Sequence, residues 1–394
     1  MAGEFIVYGE LAAAALGLAP FAWHRLSCIS WMKNELSLPE NDSKLPITIL
    51  LPVWNEGLII EKKLADLAKQ EIKANLFLID SASTDDTVSK ARKWLKDFPD
   101  SFSSYEIIVM EKRLGKTTAV MQALDSLKNF DGIIVMTDAD AMIAPDSFNR
   151  IRRWFSNREI GVVGGTPKRL GENSSEINHR NLYSAVRIAE SHYDSTPFLE
   201  GSLIAWRSKL LNSSDLYPTA NADDAQIATA IRLSGFRSIQ DSDLHFYDHM
   251  PLSVKEQRRQ KIRRGQGLIR LLSRKRKYWF SNNQGRFSKV LRMNAWMMLF
   301  SPLLMASALV FGLLRSILVG IDGNFHLAMT IAEIYCLVSW LTSRMNIQIK
   351  GMQTAGSIFT GLENLLSGII LASTGTSLHM WDQHEEVREE ISRI

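Results

Sequence analysis

Short apolar runs alternate with amphipathic stretches over the first two thirds of the chain. Runs rich in β-branched residues at 47–53, 76–80, 106–110 and 133–137 predict buried strands, and helical spacing follows most of them. A repeated strand–helix order is typical of a mostly parallel sheet that is covered by helices on both faces. The pattern therefore predicts an α/β domain over residues 45–250.

Longer apolar stretches flank this domain and predict membrane helices, because each has roughly the length needed to cross a bilayer. Glu10 lies inside the first stretch and Glu363 inside the last. The last stretch could therefore be re-entrant, interfacial or lining a polar path instead of a simple span. The four stretches are residues 5–23, 295–319, 325–341 and 355–380.

Basic residues predict how these helices are oriented. Arg25 and Lys33 follow the first stretch, whereas nothing basic precedes it, so we expect its C-terminal end on the cytoplasmic side. The loop at 321–324 has no positive charge, but the loop at 343–350 does, which agrees with a cytoplasmic α/β domain. A signal peptide and an amphipathic surface helix are the alternatives for residues 5–23.

Between the α/β domain and the C-terminal apolar stretches lies a strongly basic segment. Residues 253–277 contain eleven Lys or Arg and one acidic residue. Beside membrane helices, such a segment is typical of an interfacial helix on an anionic leaflet. Nucleic-acid binding is the alternative, and the adjoining apolar stretches make it the weaker one.

Composition adds few constraints to this picture. The chain has 394 residues, a net charge of +4 and two cysteines, which excludes a disulfide framework and a cysteine-based zinc site. The pattern divides the chain into an anchor, the α/β domain, basic interfacial helices, C-terminal membrane helices and a polar tail. These segments are residues 1–25, 45–250, 251–290, 291–380 and 381–394.

Polar side chains follow the ends of three predicted strands, at Asn55 and Glu56, at Asp80, and at Asp138 and Asp140. The carboxyl ends of parallel strands meet at one edge of a sheet, where open α/β sheets bind their ligands. Carboxylate oxygens suit a hard divalent cation such as Mg²⁺ or Mn²⁺, shared with a diphosphate. A solvated turn is the plainer alternative for Asp138 and Asp140.

Other charged residues fit the same interpretation. Arg113 and Lys116 could pair with a diphosphate, or could form surface salt bridges instead. They do not form a phosphate-binding P-loop, since Met110 stands where that motif requires glycine. Asp223 and Asp224 open a predicted helix, so they could cap it, or one of them could act as a catalytic base.

Together these residues resemble the membrane-bound family 2 glycosyltransferases with a GT-A fold, the group that contains cellulose, chitin and hyaluronan synthases. The resemblance covers roughly residues 45–270. It implies a GT-A domain with a mostly parallel sheet, a nucleotide-sugar donor and a divalent cation, Mg²⁺ or Mn²⁺, held by Asp138 and Asp140. It makes Asp224 the catalytic base, in the place of the second acid of the family's Glu-Asp pair.

The resemblance also implies roles for further residues. The acceptor side would comprise Glu200, Gly201, Ser202 and Asp223. The nucleotide-sugar site would comprise Pro52, Asn55, Glu56, Asp80, Arg113, Lys116, Asp138, Gln260, Arg263 and Arg264.

Two positions depart from the family pattern. Arg264 stands where the Gln-x-x-Arg-Trp motif of processive members has tryptophan, and Asp223 replaces a glutamate. Losing the tryptophan removes an aromatic platform on which a sugar could stack. This departure argues against a processive enzyme. The resemblance implies an inverting transferase, and the membrane helices and the basic segment favour a lipid-linked or growing glycan as acceptor at the cytoplasmic face of the cell membrane, with membrane lipids around it. A processive polysaccharide synthase, an inactive nucleotide-binding scaffold and a sugar-nucleotide pyrophosphorylase are the alternatives.

Overall fold

The computed structural model describes residues 2–169, 174–248, 253–347, 349–376, 378 and 385–393. The chain divides into two compact units. The sheet unit comprises Ser30–Gln260, Asn282–Val290 and Ser377–Ile394. The helical unit comprises Met1–Ile29, Lys261–Ser281 and Leu291–Thr376.

The sheet unit is built on one eight-stranded sheet, with the strand order β3-β2-β1-β4-β7-β6-β8-β5. The pairings β3-β2, β2-β1, β1-β4 and β6-β8 are parallel, whereas β4-β7, β7-β6 and β8-β5 are antiparallel. The strands are β1 (Ile47–Val53), β2 (Asn75–Asp80), β3 (Ser104–Val109), β4 (Ile133–Thr137), β5 (Ala141–Ile143), β6 (Ile160–Arg169), β7 (Leu203–Arg207) and β8 (Arg237–Asp248).

The sheet is parallel over the strands β1 to β4, as the sequence pattern predicts. Beyond β4 it is mixed. Residues 161–165 lie in the first half of β6, and the segment that contains Gly201 enters the sheet as β7 at Leu203. The α/β fold class is confirmed. The parallel order places the ends of β1, β2 and β4 at one edge of the sheet, and this edge carries the candidate active site.

Helices connect the strands and flank the sheet. α1 (Ala2–Trp31) begins in the helical unit, and α8 and α9 each contain residues of both units. Over the described residues the α-helices are α1, α2 (Ile60–Ala68), α3 (Thr87–Asp97), α4 (Lys116–Ser126), α5 (Ser147–Trp154), α6 (Ser174–Tyr193), α7 (Asp223–Leu233), α8 (Val254–Arg274), α9 (Gly285–Ala295), α10 (Ser301–Leu318), α11 (Asn324–Arg344), α12 (Gln353–Ser373) and α13 (Glu385–Arg393).

Alternate residues of β1 face opposite sides of the sheet, as the two-residue period of a strand requires. Ile49 and Leu51 belong to one apolar core, whereas Leu50 belongs to the other. All three are completely buried. Both faces of the central strands are therefore covered, which explains why these strands are continuous apolar runs and not alternating ones.

The register of the central strands aligns their ends. Val53 pairs with Asp80, Asp80 pairs with Val109, and Leu50 pairs with Met136. The polar residues that follow β1, β2 and β4 consequently emerge at the same edge of the sheet.

Among the described residues, four helices are long and apolar enough to cross a membrane. They span Gly3–Trp31, Asn282–Leu318, Asn324–Arg344 and Gln353–Ser373, and each overlaps one of the stretches predicted from sequence. The first two are longer than predicted, since the first ends at Trp31 and the second begins at Asn282. Residues 377 and 379–384 lie outside the described residues. Glu363, which left the last stretch open to other interpretations, accepts hydrogen bonds from Trp340 Nε1 at 2.9 Å and from Arg344 Nη1 at 2.5 Å.

Candidate active site

The loop between β4 and β5 carries Asp138 and Asp140, and a buried lysine fixes it. Lys63 of α2 is completely buried, and its Nζ donates to Thr137 Oγ1 at 3.0 Å and to the carbonyl oxygen of Ala141. Thr137 Oγ1 donates in turn to the carbonyl oxygen of Ser202 at 2.8 Å. Burial lowers the pKa of Lys63 from its ordinary value. Bonds at both ends of the loop thus define where its two carboxylates lie.

Lys116, at the first turn of α4, joins two of the predicted site acids. Its Nζ lies 2.5 Å from Asp138 Oδ1 and 3.5 Å from Asp223 Oδ2. Burial acts to lower the pKa of Lys116, but the neighbouring carboxylates outweigh it and raise the pKa above the ordinary value. Lys116 is therefore stabilised as a cation, and its ion pairs with Asp138 and Asp223 are largely buried and not on the exposed surface.

Asp224 lies near Lys116, in the first turn of α7. Burial raises its pKa to about 7, with further contributions from the charges of Asp223 and Glu200. Its Oδ1 accepts a hydrogen bond of 2.8 Å from the backbone N–H of Ala225. A carboxylate with a pKa near neutrality is suited to accept a proton at physiological pH.

Gly201 allows the segment before β7 to approach this cluster closely. A Cβ atom at this position would lie 3.3 Å from Lys116 Nζ and 3.5 Å from Asp224 Oδ2. The adjacent Ser202 Oγ lies 3.5 Å from Asp138 Oδ2, and Glu200 forms an ion pair with Arg187 of α6. Three of the four residues predicted on the acceptor side, Glu200, Gly201 and Ser202, therefore lie near Asp138 or Asp224.

The loops after β1 and β2 are bonded to each other. Asn55 has a positive φ of 52°, its backbone N–H donates to Ser83 Oγ at 2.8 Å, and its Oδ1 accepts from the backbone N–H of Thr84 at 2.8 Å. Asp80 is completely buried and accepts from the Ser83 backbone N–H at 2.9 Å and from Ser83 Oγ at 2.5 Å. Burial raises the pKa of Asp80.

Pro52 and Arg113 occupy different settings within this group. Pro52 is buried inside β1 and pairs with Ile79. The guanidinium carbon of Arg113 lies 3.4 Å from the centre of the Trp54 ring, which is a cation–π contact. This contact holds Arg113 at the end of β1.

Arg388 was not among the residues predicted from sequence, yet it contacts two of the predicted site acids. Its Nε and Nη2 donate to the two carboxylate oxygens of Glu56 at 3.0 and 2.8 Å, and its Nη1 lies 3.0 Å from Asp140 Oδ2. Burial raises the pKa of Glu56 to about 7, although Arg388 acts to lower it. The predicted polar tail therefore contains a helix, α13, that takes part in the site.

The remaining predicted residues lie on α8. Gln260 belongs to the sheet unit, whereas Arg263 and Arg264 belong to the helical unit. Their roles at the diphosphate stay predictions.

The site's chemistry suits a cation that is shared with a ligand. Among the described residues, no group of three His, Cys, Asp or Glu side chains is arranged to hold a metal ion by itself. Asp138 and Asp140 instead offer two carboxylates at a strand end, and Mg²⁺ typically binds to one or two carboxylates together with substrate phosphates. The donor set therefore fits a metal–diphosphate complex better than an all-protein metal site.

The fold and the acids at its edge define a class, the GT-A glycosyltransferases. The family model described as "Glycosyl transferase family 2" matches residues 48–214, and "Glycosyl transferase family group 2" matches residues 133–343, more than half of the chain. The chain belongs to the family 2 glycosyltransferases.

Individual relatives are distant. The uncharacterized glycosyltransferase YaiP of Escherichia coli (strain K12) is 20% identical over 241 residues, which cover 59% of each protein. The mannosyltransferase PcManGT from Pyrobaculum calidifontis, solved in complex with GDP-Man and Mn²⁺, is 23% identical and has a TM-score of 0.76, covering 93% of this chain and 99% of that one. Residues 1–349 of S. aureus TarS, solved with UDP-GlcNAc, are 15% identical with a TM-score of 0.40, covering 84% and 93%.

Proposed function

We propose that this protein is an inverting, metal-dependent glycosyltransferase that moves a sugar from a nucleotide-diphosphate donor to an acceptor hydroxyl. The observation that carries the proposal is the cluster around Lys116. The ammonium group of this lysine contacts both Asp138 and Asp223, and it lies next to Asp224 and Gly201. One group of acids can then face the leaving diphosphate while another faces the acceptor. The complex of PcManGT with GDP-Man and Mn²⁺ supports a divalent cation and a nucleotide sugar here too.

Each side of the cluster has its own task in this proposal. Asp138 and Asp140 hold the cation, which when bound offsets charge on the leaving diphosphate. Lys116 adds a fixed positive charge to the same region, where negative charge develops as the diphosphate leaves.

Arg113, and Arg263 on α8, are further candidates for the diphosphate. The loops of Asn55 and Asp80 hold the nucleoside.

Asp224 is the general base in this proposal. It takes the proton of the acceptor hydroxyl as that oxygen attacks the anomeric carbon from the face opposite the leaving diphosphate. The new bond then has the inverted anomeric configuration. A pKa near 7 leaves Asp224 ionised in a useful fraction of molecules at neutral pH, and strong enough as a base to accept the proton.

The acceptor is proposed to be a lipid-linked or growing glycan at the cytoplasmic face of the cell membrane. Four membrane-length helices and the basic helix α8 support a substrate that is presented at a lipid surface. The positive charge in the 343–350 loop and its lack at 321–324 support the cytoplasmic orientation.

The test is a transfer assay with the full chain purified in lipid nanodiscs. GDP- and UDP-linked sugars are offered with polyprenyl-linked glycans, and both free nucleoside diphosphate and glycosylated lipid are quantified. We expect stoichiometric formation of the two products, inversion at the anomeric carbon by NMR, loss of turnover with EDTA, and recovery with Mg²⁺ or Mn²⁺. Retention of configuration, or full turnover in EDTA, would contradict the mechanism.

A further inference from the structure

The C-terminal helix α13 is a component of the sheet unit and not a free tail. Val387 and Ile391 are each 2% exposed and belong to the apolar core that β1 and α2 also line. Lys62 Nζ of α2 donates to the carbonyl oxygen of Ile391 at 2.7 Å. Residues four apart on a helix share one face, so this face fixes the position of α13 against the unit.

Arg388 projects from this helix into the strand-end cluster and is 4% exposed. The fork formed by Nε and Nη2 binds both oxygens of Glu56, which is itself 1% exposed. A bidentate guanidinium–carboxylate pair has a defined plane and direction. The third nitrogen, Nη1, is therefore held in one place, and it meets Asp140 Oδ2 at 3.0 Å.

This contact involves one of the two oxygens of Asp140. A carboxylate that binds a metal ion through one oxygen is commonly oriented by a hydrogen-bond donor on the other, and losing such a partner typically weakens metal binding about 10–100-fold. A guanidinium that is fixed by Glu56 and by a helix packed in the core is suited to this orienting task, because it cannot follow Asp140 if that side chain rotates.

We propose that Arg388 is a positioning residue that holds Asp140 in the orientation in which it binds the donor's divalent cation. This inference rests on the proposed function, since it assumes that Asp140 ligates the cation. It makes α13 part of the donor site, although Arg388 lies 332 residues from Glu56 along the chain.

The test measures Mn²⁺ binding directly, by EPR of free Mn²⁺ in titrations of the full chain in nanodiscs, with GDP and UDP in parallel. We expect Arg388→Gln to weaken Mn²⁺ binding about 10–100-fold and Arg388→Lys to recover part of the loss. The matched control is Arg393→Gln on the same helix, whose side chain is 77% exposed and pairs with Glu389, and which should bind Mn²⁺ as the unchanged chain does.

A second pair of variants separates positioning from folding. Arg388→Gln leaves the buried Glu56 without its arginine partner and could unfold the chain. Combining it with Glu56→Gln removes that charge, so Mn²⁺ binding is also compared between Glu56→Gln and Glu56→Gln/Arg388→Gln. We expect the double variant to bind about tenfold more weakly than Glu56→Gln.

Equal or tighter Mn²⁺ binding without Arg388 would overturn the inference, because the arginine would then be a purely structural partner of Glu56 or a competitor of the metal. Failure of the proposed function gives a different result. In that case the unchanged chain itself would bind no Mn²⁺ in the presence of either nucleotide, and the role of Arg388 would fall with the metal site.

Discussion

Two buried arginines, one in each unit, form similar bonds for different purposes. Arg388 of the sheet unit is 4% exposed, and Arg315 of the helical unit is completely buried. Each binds two carboxylates from distant parts of the chain. For Arg315 the partners are Glu10 of α1 at 2.8 Å and Glu333 of α11 at 3.0 Å.

The difference lies in what the carboxylates do. Glu10 and Glu333 connect three apolar helices through Arg315, which also donates to Thr330 Oγ1, so every strong bond of this arginine ties one helix to another. Arg388 instead binds Asp140, which follows a strand end in the candidate active site. A buried ion pair is thus a sign of function only when one partner faces the chemistry.

We expect the largest loss of sugar transfer from a substitution in the candidate active site of the sheet unit, at Asp224. Changing Asp224 to Asn removes the proton acceptor but keeps the size of the side chain, so transfer should fall about 10²–10⁴-fold. Nucleoside diphosphate binding should survive, as measured by calorimetry. Asp100→Asn, at an exposed acid of the same unit, is the matched control and should transfer at the normal rate. Full transfer by Asp224→Asn would refute the assignment of the base.

The next effect concerns Arg315 and should appear in stability and not in chemistry. Arg315→Met leaves the buried Glu10 and the partly buried Glu333 without their cation, which should lower the free energy of unfolding by up to about 3–5 kcal/mol. Thermal denaturation of the full chain in nanodiscs measures this loss. Adding Glu10→Gln and Glu333→Gln should restore much of the stability. An unchanged melting temperature together with lost transfer would show that Arg315 acts in catalysis, contrary to the comparison.

Some residues of the candidate active site could be predicted from sequence alone, and others could not. Asp80, Asp138 and Asp140 were predictable because parallel strands necessarily end at one sheet edge, and apolar runs marked those strands. Lys63 was not, because a lysine within an amphipathic helix pattern normally lies on the solvated face; here Thr137 and the Ala141 carbonyl satisfy its charge in the core.

The role of Arg388 could not be predicted from sequence for a different reason. No local spacing links it to Glu56 or Asp140, and only tertiary packing of α13 brings them together. Val387 and Ile391, four residues apart, were the available signal for a docked helix in an otherwise charged segment. The antiparallel half of the sheet was also missed in part, since β8 has many polar residues and resembles a loop in sequence.

The pH dependence of transfer sharpens the assignment of Asp224 further. Because burial raises its pKa to about 7, the base is protonated and inactive at lower pH. We expect kcat/KM to fall about tenfold per pH unit below 7 and to level off above it. Burial also raises the pKa of Glu56 to about 7, so the profile is repeated with Glu56→Gln. Loss of the inflection in that variant would assign it to Glu56 instead.

The smallest effect is expected at Gly201. In Gly201→Ala the new methyl group would lie 3.3 Å from Lys116 Nζ, at the flexible end of a side chain that can shift by a few tenths of an ångström. Transfer should therefore fall only about 2- to 10-fold, with stability unchanged, as steady-state kinetics and thermal denaturation would report. A collapse of stability would show that Gly201 serves the fold and not the site.

We propose that Asp138 and Asp140 hold a divalent cation on the diphosphate of a nucleotide sugar, and calorimetry tests this most directly. Calorimetry compares GDP and UDP binding with and without Mn²⁺ for the unchanged chain and for Asp138→Asn/Asp140→Asn. We predict that Mn²⁺ strengthens nucleotide binding to the unchanged chain and has no effect on the double variant. Equal enhancement by Mn²⁺ in both proteins would contradict the claim.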